Sequence, residues 1–290
     1  MRAAPGTRDH AAVARTRGEA STGRQTDKRG RKGEKHSRLG SDGEGGRSLL
    51  LIQFSRLLRF SVICGKDSPF SDKIFNTCAV VGNGGILANS SCGQSIDSAQ
   101  FVIRCNLPPL EKWSKDVGTK TGLVTANPTI FTKKYDSMKG RRRKFVDKVS
   151  IYGDSLLLLP AFSFAFCTDV SLKVHYTLQD FRSSLKTFFM NPDYLRNLRS
   201  FWRSQGLNFG YRMTTGLMMV SLAVEICNNV NVYGFWPFDN HPHGFEPLTQ
   251  HYYDNARATG FHSMSNEFAY LVKLHNQGVL RLQLGECAPQ

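Results

Sequence analysis

The chain has 290 residues, 40% hydrophobic and 21% charged, long enough to bury a core and too apolar for wholesale disorder. Lys and Arg number 38 against 23 acids, a formal net charge of +15, which admits nucleic acid, anionic lipid or acidic small molecules as partners and selects none of them. Seven cysteines, at 64, 78, 92, 105, 167, 227 and 287, include no C-x-x-C pair, which argues against a zinc ribbon and leaves the redox compartment open.

Residues 1–47 carry 12 Lys/Arg, 6 acids and nine Gly with almost no large apolar side chain, a composition expected to remain a disordered tail. They hold +6 of the charge and leave +9 for the rest. Residues 48–73 form an apolar or amphipathic lead-in, from Leu49 to Ile63, interrupted by Arg56 and Arg59. A bilayer span needs about 20 apolar residues, and each central Arg costs roughly 2.5–3.5 kcal/mol, so this segment is not read as a membrane anchor. Its distance from Met1 does not suit a signal peptide either.

From residue 74 short apolar runs alternate with helical stretches. The predicted strands are Cys78–Val81, Phe101–Cys105, Leu123–Ala126, Val149–Tyr152, Leu156–Leu159, Leu172–Tyr176 and Val230–Phe235. Asn191-Pro192 opens a predicted helix that stops at Gly206, and Thr214 or Thr215 caps a second carrying Leu217, Val220 and Val224. Ser265 is expected to cap a third, with Glu267 in its first turn and Gly278 as its stop. The alternation predicts an α/β fold with a mostly parallel sheet flanked by helices.

In such a sheet, ligands bind beyond the carboxyl ends of the strands, where glycine turns enter helices. Gly82-Asn83-Gly84-Gly85 follows the first strand, but Leu87 stands where G-x-G-x-x-G needs its third glycine and no downstream acid follows, so the turn reads equally as a nucleotide contact or as a plain tight turn. Thr214-Thr215-Gly216 opens a helix and offers backbone donors and hydroxyls suited to a phosphate, or else an ordinary N-cap. Two aromatic clusters follow, Tyr233 to Phe238 and His251 to Asn255. Aromatic runs usually pack a core, and an indole beside a glycine turn also suits stacking on a base or sugar.

Together these segments resemble the sialyltransferases of glycosyltransferase family 29, above all the α-2,8 branch with its ganglioside-type, mono- or oligo-sialylating members. The long motif runs from Cys78-Ala-Val-Val-Gly-Asn-Gly-Gly through Cys92-Gly and Arg104-Cys-Asn-Leu-Pro-Pro109 to Thr125-Ala-Asn-Pro128. The short motif runs from Thr214-Thr-Gly-Leu through Cys227 to Tyr233-Gly-Phe-Trp-Pro-Phe238. His251-Tyr-Tyr-Asp254 matches the third motif, and His262 with Glu267 five residues on matches the very short one.

The resemblance implies a variant GT-A, Rossmann-like fold over residues 74–290 and transfer of sialic acid from CMP-sialic acid, a co-substrate, with inversion. It implies no cofactor and no metal, and the sequence has no Asp-x-Asp to hold one. The implied acceptor is a sialylated glycolipid or glycoprotein glycan. Nucleic acid is not expected, and a homodimer is admitted.

Carried over by position, the resemblance puts Asn83 and Asn106 on the CMP and sialyl groups, Thr214, Thr215 and Gly216 around the phosphate and carboxylate, and Gly234 and Trp236 on the nucleoside side. It makes His262 the general base; a neutral imidazole just before a helix start suits that task. His251 is assigned either a positioning or a structural role, and Glu267 no proton transfer. The branch's pairing is Cys78 with Cys227 and Cys92 with Cys287, each worth roughly 4–5 kcal/mol in a chain-entropy account. Cys64, Cys105 and Cys167 are then expected to be buried thiols. Asn89-Ser90-Ser91 is an N-glycosylation sequon.

Family members are type II Golgi proteins, so the resemblance implies Golgi lumen or membrane, although the Arg-interrupted run is not read as an anchor. Two rival functions follow. A polysialyltransferase carries a strongly basic stretch before the short motif; residues 171–213 hold seven Lys/Arg against two acids, a moderate excess. A non-catalytic glycan- or nucleic-acid-binding protein would use the basic tail instead.

Overall fold

The computed structural model describes residues 70, 75–244, 246–255 and 263–288. The expected tail over 1–47, nearly all of the lead-in, Cys64 and His262 lie outside them.

Seven strands form one sheet: β1 (Phe75–Val81), β2 (Phe101–Arg104), β3 (Leu123–Thr125), β4 (Leu156–Leu159), β5 (Lys186–Phe189), β6 (Cys227–Tyr233) and β7 (Arg281–Gln283). The spatial order is β5-β4-β3-β2-β1-β6-β7, and every neighbouring pair is parallel. The chain lays strands outward in one direction from β1 to β5, then returns to β1's other side for β6. The order therefore reverses between β1 and β6, the place where a doubly wound sheet opens a crevice for ligands.

The inner strands are continuous apolar runs because both faces are covered. Cys78 and Val80 point into one core and Ala79 and Val81 into the other, all at or below 1% exposure. In chain order the helices are α1 (Gly93–Asp97), α2 (Ser114–Val117), α3 (Pro128–Lys134), α4 (Arg142–Val149), α5 (Ala165–Asp180), α6 (Pro192–Ser204), α7 (Thr215–Ile226) and α8 (Met264–Asn276). Buried residues of α6, α7 and α8, among them Trp202, Leu217 and Leu271, fill the first core. Those of α3, α4 and α5, including Phe131, Phe145 and Val174, fill the second.

Helix punctuation follows local chemistry. Asn191 accepts the N–H of Asp193 at 2.9 Å, with Pro192 as the first residue of α6. Thr214, rather than Thr215, caps α7 by accepting the N–H of Leu217 at 3.0 Å. The last helix begins earlier than expected, at Met264 with Ser263 as the flanking residue, so Ser265 lies inside it. Its chain leaves through Gly278, whose φ of +69° suits glycine.

Two predicted strands are helical. Leu172–Tyr176 is the middle of α5, where Cys167, Val170, Ser171, Val174 and Leu178 recur at helical spacing. Val149–Tyr152 ends α4 and makes a 3-10 turn, Ser150–Tyr152, that buries Tyr152 and breaks at Gly153. Conversely, edge strands β5 and β7 were not anticipated; with Lys186 and Arg281 as their first residues they lack the apolar run that marks the inner strands.

Both implied disulfides are present, Cys78–Cys227 and Cys92–Cys287. The first links β1 to β6 across the switch point, and the second ties residue 287 to the start of α1. Cys105 and Cys167 are free and buried.

Candidate functional site

The β1–β6 crevice is built by contact between two glycine turns. The N–H of Gly82 donates to Tyr233 O at 2.8 Å, and that of Gly84 to Gly234 O at 2.9 Å. A Cβ at Gly82 or Gly84 would stand 2.7 Å from Gly234 O, and Gly234 itself has φ +72°. Any side chain there would wedge the turns apart. The long and short motifs thus form one unit.

Asn83 projects between these turns. Its Nδ2 donates to Cys105 O at 2.9 Å and its backbone carbonyl accepts the N–H of Tyr252 at 2.9 Å. Asn106, at the carboxyl end of β2, has φ +65° and is held by its N–H to Thr125 Oγ1 at 3.0 Å. The Oδ1 atoms of Asn83 and Asn106 are buried with no hydrogen-bond partner among the described residues. Buried acceptors are nearly always satisfied, so this pair calls for donors from outside the chain, a ligand or ordered water.

Across the crevice α7 presents its N-terminus. Thr214 takes the N–H of Leu217, leaving the orphan donors of Thr215 and Gly216 at the helix start. Gly216 lies against the Phe235 ring. Thr215 Oγ1 meets Asn127 Oδ1 at 3.4 Å. Glu267 of α8, only 4% exposed, accepts the Thr214 N–H at 2.8 Å and the Thr214 hydroxyl as well. Burial raises its carboxyl to about 7, against the opposing pull of those two hydrogen bonds.

Asn83, Asn106, Thr214, Thr215, Gly216, Gly234, Trp236 and His251 all line one cleft of about 320 Å³. Trp236 is anchored by Nε1 to Asn240 O at 2.8 Å and packs edge-on to Phe268 of α8. His251 Nδ1 lies 2.7 Å from Asp254 Oδ1, and its ring stacks on Tyr253 at 5.1 Å. Met264, Glu267, Phe268 and Leu271 bring α8 to the same cleft, and His262 precedes Ser263 by one residue in the chain. Cys105 reaches the wall, but burial pushes its thiol up to about 12, so it is neutral. Among the described residues no group of His, Cys, Asp or Glu could hold a metal ion.

Residues 51–279 match the family model "Glycosyltransferase family 29 (sialyltransferase)". The chain belongs to glycosyltransferase family 29. Within this family it is similar to alpha-2,8-sialyltransferase 8F of Mus musculus, 50% identical over 221 residues, covering 76% of this chain and 55% of the relative. It is also similar to the alpha-N-acetylneuraminide alpha-2,8-sialyltransferase of Xenopus laevis, 46% identical over 248 residues, covering 85% and 67%. The chain thus spans little more than half the length of the 8F relative. A crystal structure of a mammalian sialyltransferase in complex with Gal-beta-1-3GalNAc-ortho-nitrophenol shares the fold, with a TM-score of 0.54 at 23% identity over 87% of this chain and 88% of that one.

Three features of this family 29 site were not assigned from sequence. Asn127 bridges toward Thr215 and lines the cleft, and its place before Pro128 at a helix start was the available signal. Glu267 grips Thr214 from 53 residues away, which no local pattern shows. Asp116, 7% exposed, accepts the N–H groups of Asn89 and Ser91 and so shapes the sequon loop, in which Asn89 is exposed and Ser90 buried.

Proposed function

We propose that this chain is an α-2,8-sialyltransferase that moves sialic acid from CMP-sialic acid to a sialylated glycan, with residues 74–290 as its catalytic domain. The observation that carries this reading is the meeting of long, short and third motifs in one cleft that still has two unsatisfied amide oxygens. The chain's similarity to alpha-2,8-sialyltransferases supports the linkage.

In this reading the Asn83 and Asn106 oxygens receive donors of the ligand, from the cytosine amine or sugar hydroxyls. The N–H groups of Thr215 and Gly216 hold the phosphate, whose single group needs less neutralisation than a diphosphate. The acceptor hydroxyl oxygen attacks the anomeric carbon as the bond from that carbon to the phosphate oxygen breaks. CMP leaves with the bonding electrons, the configuration inverts, and His262 takes the hydroxyl proton. His251, oriented by Asp254, positions the reactants. No metal is assigned a part.

No helix among the described residues is long and apolar enough to cross a membrane. Golgi residence is proposed from the family alone, and glycan attachment at Asn89 from its exposure and the sequon. The test is incubation of the full chain with CMP-sialic acid and sialylated glycolipids or glycoproteins, followed by linkage and product-length analysis. One or a few α-2,8-linked residues are expected. Long ladders would establish the polysialyltransferase instead, and no transfer to any sialylated acceptor would overturn the assignment.

A further inference from the structure

A second, larger cavity of about 930 Å³ adjoins the donor cleft and shares Asn83, Asn106, Asn127 and His251 with it. Those shared residues mark the place where a bound donor sugar and an incoming hydroxyl would meet. The far wall of this cavity is unusually basic. Lys134 from the last turn of α3, Arg141 just before α4, and Lys144 and Lys148 on α4 all line it. None of the four has an ion-pair partner among the described residues. Three acids also line it, but Asp147 is bridged by Arg143 at 2.9 Å and Asp254 by His251 at 2.7 Å, leaving Glu111.

These cations are not placed where helix energetics would put them. Arg141, Arg142, Arg143 and Lys144 crowd the start of α4, where the helix dipole disfavours positive charge and favours acids. Two of them are compensated: Arg142 by Asp180 and Thr177, and Arg143 by Asp147. The two left without acids, Arg141 and Lys144, are the two that face the cavity. Lys148 follows Lys144 by one helical turn and therefore shares its face. Arg141 is further held by Nη1 on Lys134 O at 3.4 Å. A local arrangement that opposes folding preference and points its uncompensated charge into a concavity is the mark of a binding requirement.

The remaining lining is apolar and aromatic, with the half-buried Tyr253, Ile130 and Leu107 offering surfaces for a sugar ring over the buried Tyr135 and Tyr152. A neutral glycan would have no use for four cations.

We propose that Lys134, Arg141, Lys144 and Lys148 form the acceptor subsite of this chain and bind the carboxylate of a sialic acid-bearing oligosaccharide. The assignment deepens the transferase reading and rests on it for the orientation of the acceptor toward the donor cleft. Exposed guanidinium and ammonium groups bind a carboxylate through solvent-screened pairs, so the affinity falls with salt.

The experiment is a titration of the full chain, in the presence of CMP, with sialyllactose and with lactose. The readout is ligand-detected NMR, which needs no turnover. Wild type should bind sialyllactose at least tenfold more tightly than lactose. K144A/K148A, and separately R141A, should lose about tenfold for sialyllactose, while CMP affinity reports that the fold and donor cleft are intact. K133A/K139A removes two exposed cations of the same segment that do not line the cavity, and should leave sialyllactose affinity as in wild type. Equal binding of both sugars, or an equal loss in K133A/K139A and K144A/K148A, would overturn the subsite. Binding that follows the cavity cations in a chain that transfers nothing would support the subsite and count against the transferase reading alone.

Discussion

Glu267 and Thr214, 53 residues apart, are joined by two hydrogen bonds, from the backbone N–H and from the hydroxyl of the threonine. Through them the first turn of α8 sets the N-cap of α7, whose next two residues carry the backbone N–H groups that the proposed function assigns to the donor phosphate. The ionised carboxylate accepts both bonds; the protonated acid accepts them poorly. Its carboxyl is raised to about 7, so the grip is present above that pH and weakens below it. The KM for CMP-sialic acid should therefore rise as pH falls from 8 to 6. Glu267→Gln should raise it by roughly tenfold, the cost of one charge-assisted bond, and flatten this limb of the profile. An unchanged pH dependence in the variant would remove Glu267 from the donor site.

His262→Ala should lower kcat by a factor of about 10²–10⁴, the usual contribution of a general base, with CMP affinity retained. His251→Ala, which loses the Asp254 pair, should cost about tenfold in kcat/KM with acceptor KM more affected than kcat. Steady-state kinetics with isothermal titration of CMP separates these outcomes. Reversal of the two magnitudes would make His251 the base.

The two disulfides close segments with sequence separations of 149 and 195 residues. Chain-entropy reasoning gives each about 5 kcal/mol. Cys92→Ser with Cys287→Ser should lower the urea midpoint by well over 1 M while the donor cleft still binds CMP. Cys78→Ser with Cys227→Ser removes a buried link beneath the cleft and should abolish both. Equal unfolding curves with and without reductant would contradict this.

Stability should fall as pH rises. Glu225 accepts the Tyr194 hydroxyl at 2.9 Å and is pushed up to about 8 by burial, with that hydrogen bond pulling the other way. Its folded value exceeds its unfolded value near 4.5. The native state therefore keeps a proton that the unfolded chain releases. The resulting stability is complete below about 4.5 and is lost as pH rises through about 8; Glu267 adds the same sign up to about 7. Between pH 5 and 8.5 the calorimetric Tm should drop by on the order of 10 °C. Glu225→Gln should reduce that drop.

The central strands and the caps at Asn191 and Thr214 were legible because each depends on a short stretch of chain, whereas the eight cleft residues were named through the family motifs that carry them. Apolar runs, Pro after Asn, and glycines after strands state local requirements. Leu172–Tyr176 was misread because Leu-Lys-Val-His-Tyr alternates apolar and polar side chains and looks extended until its neighbours at helical spacing are counted. Strand β7 escaped notice because three residues beginning with Arg281 are held by pairing with β6 and not by their own pattern. The basic wall was hidden in plain view. Residues 133–148 contain eight Lys/Arg against two acids, denser than the stretch before the short motif, yet only the fold tells which of them turn inward.

The return of β6 to the side of β1 also constrains how the molecule is made. During synthesis β1 can recruit β2 as soon as residue 104 is available, but its other edge stays open until residue 233 has emerged. For that interval the nascent chain presents an unpaired, apolar edge at what will be the middle of its sheet, the kind of edge that invites pairing with the wrong partner. The same crossover that creates the ligand crevice makes late assembly of β6 the decisive event in biogenesis, so chaperone dependence should be greatest for chains truncated between β5 and β6.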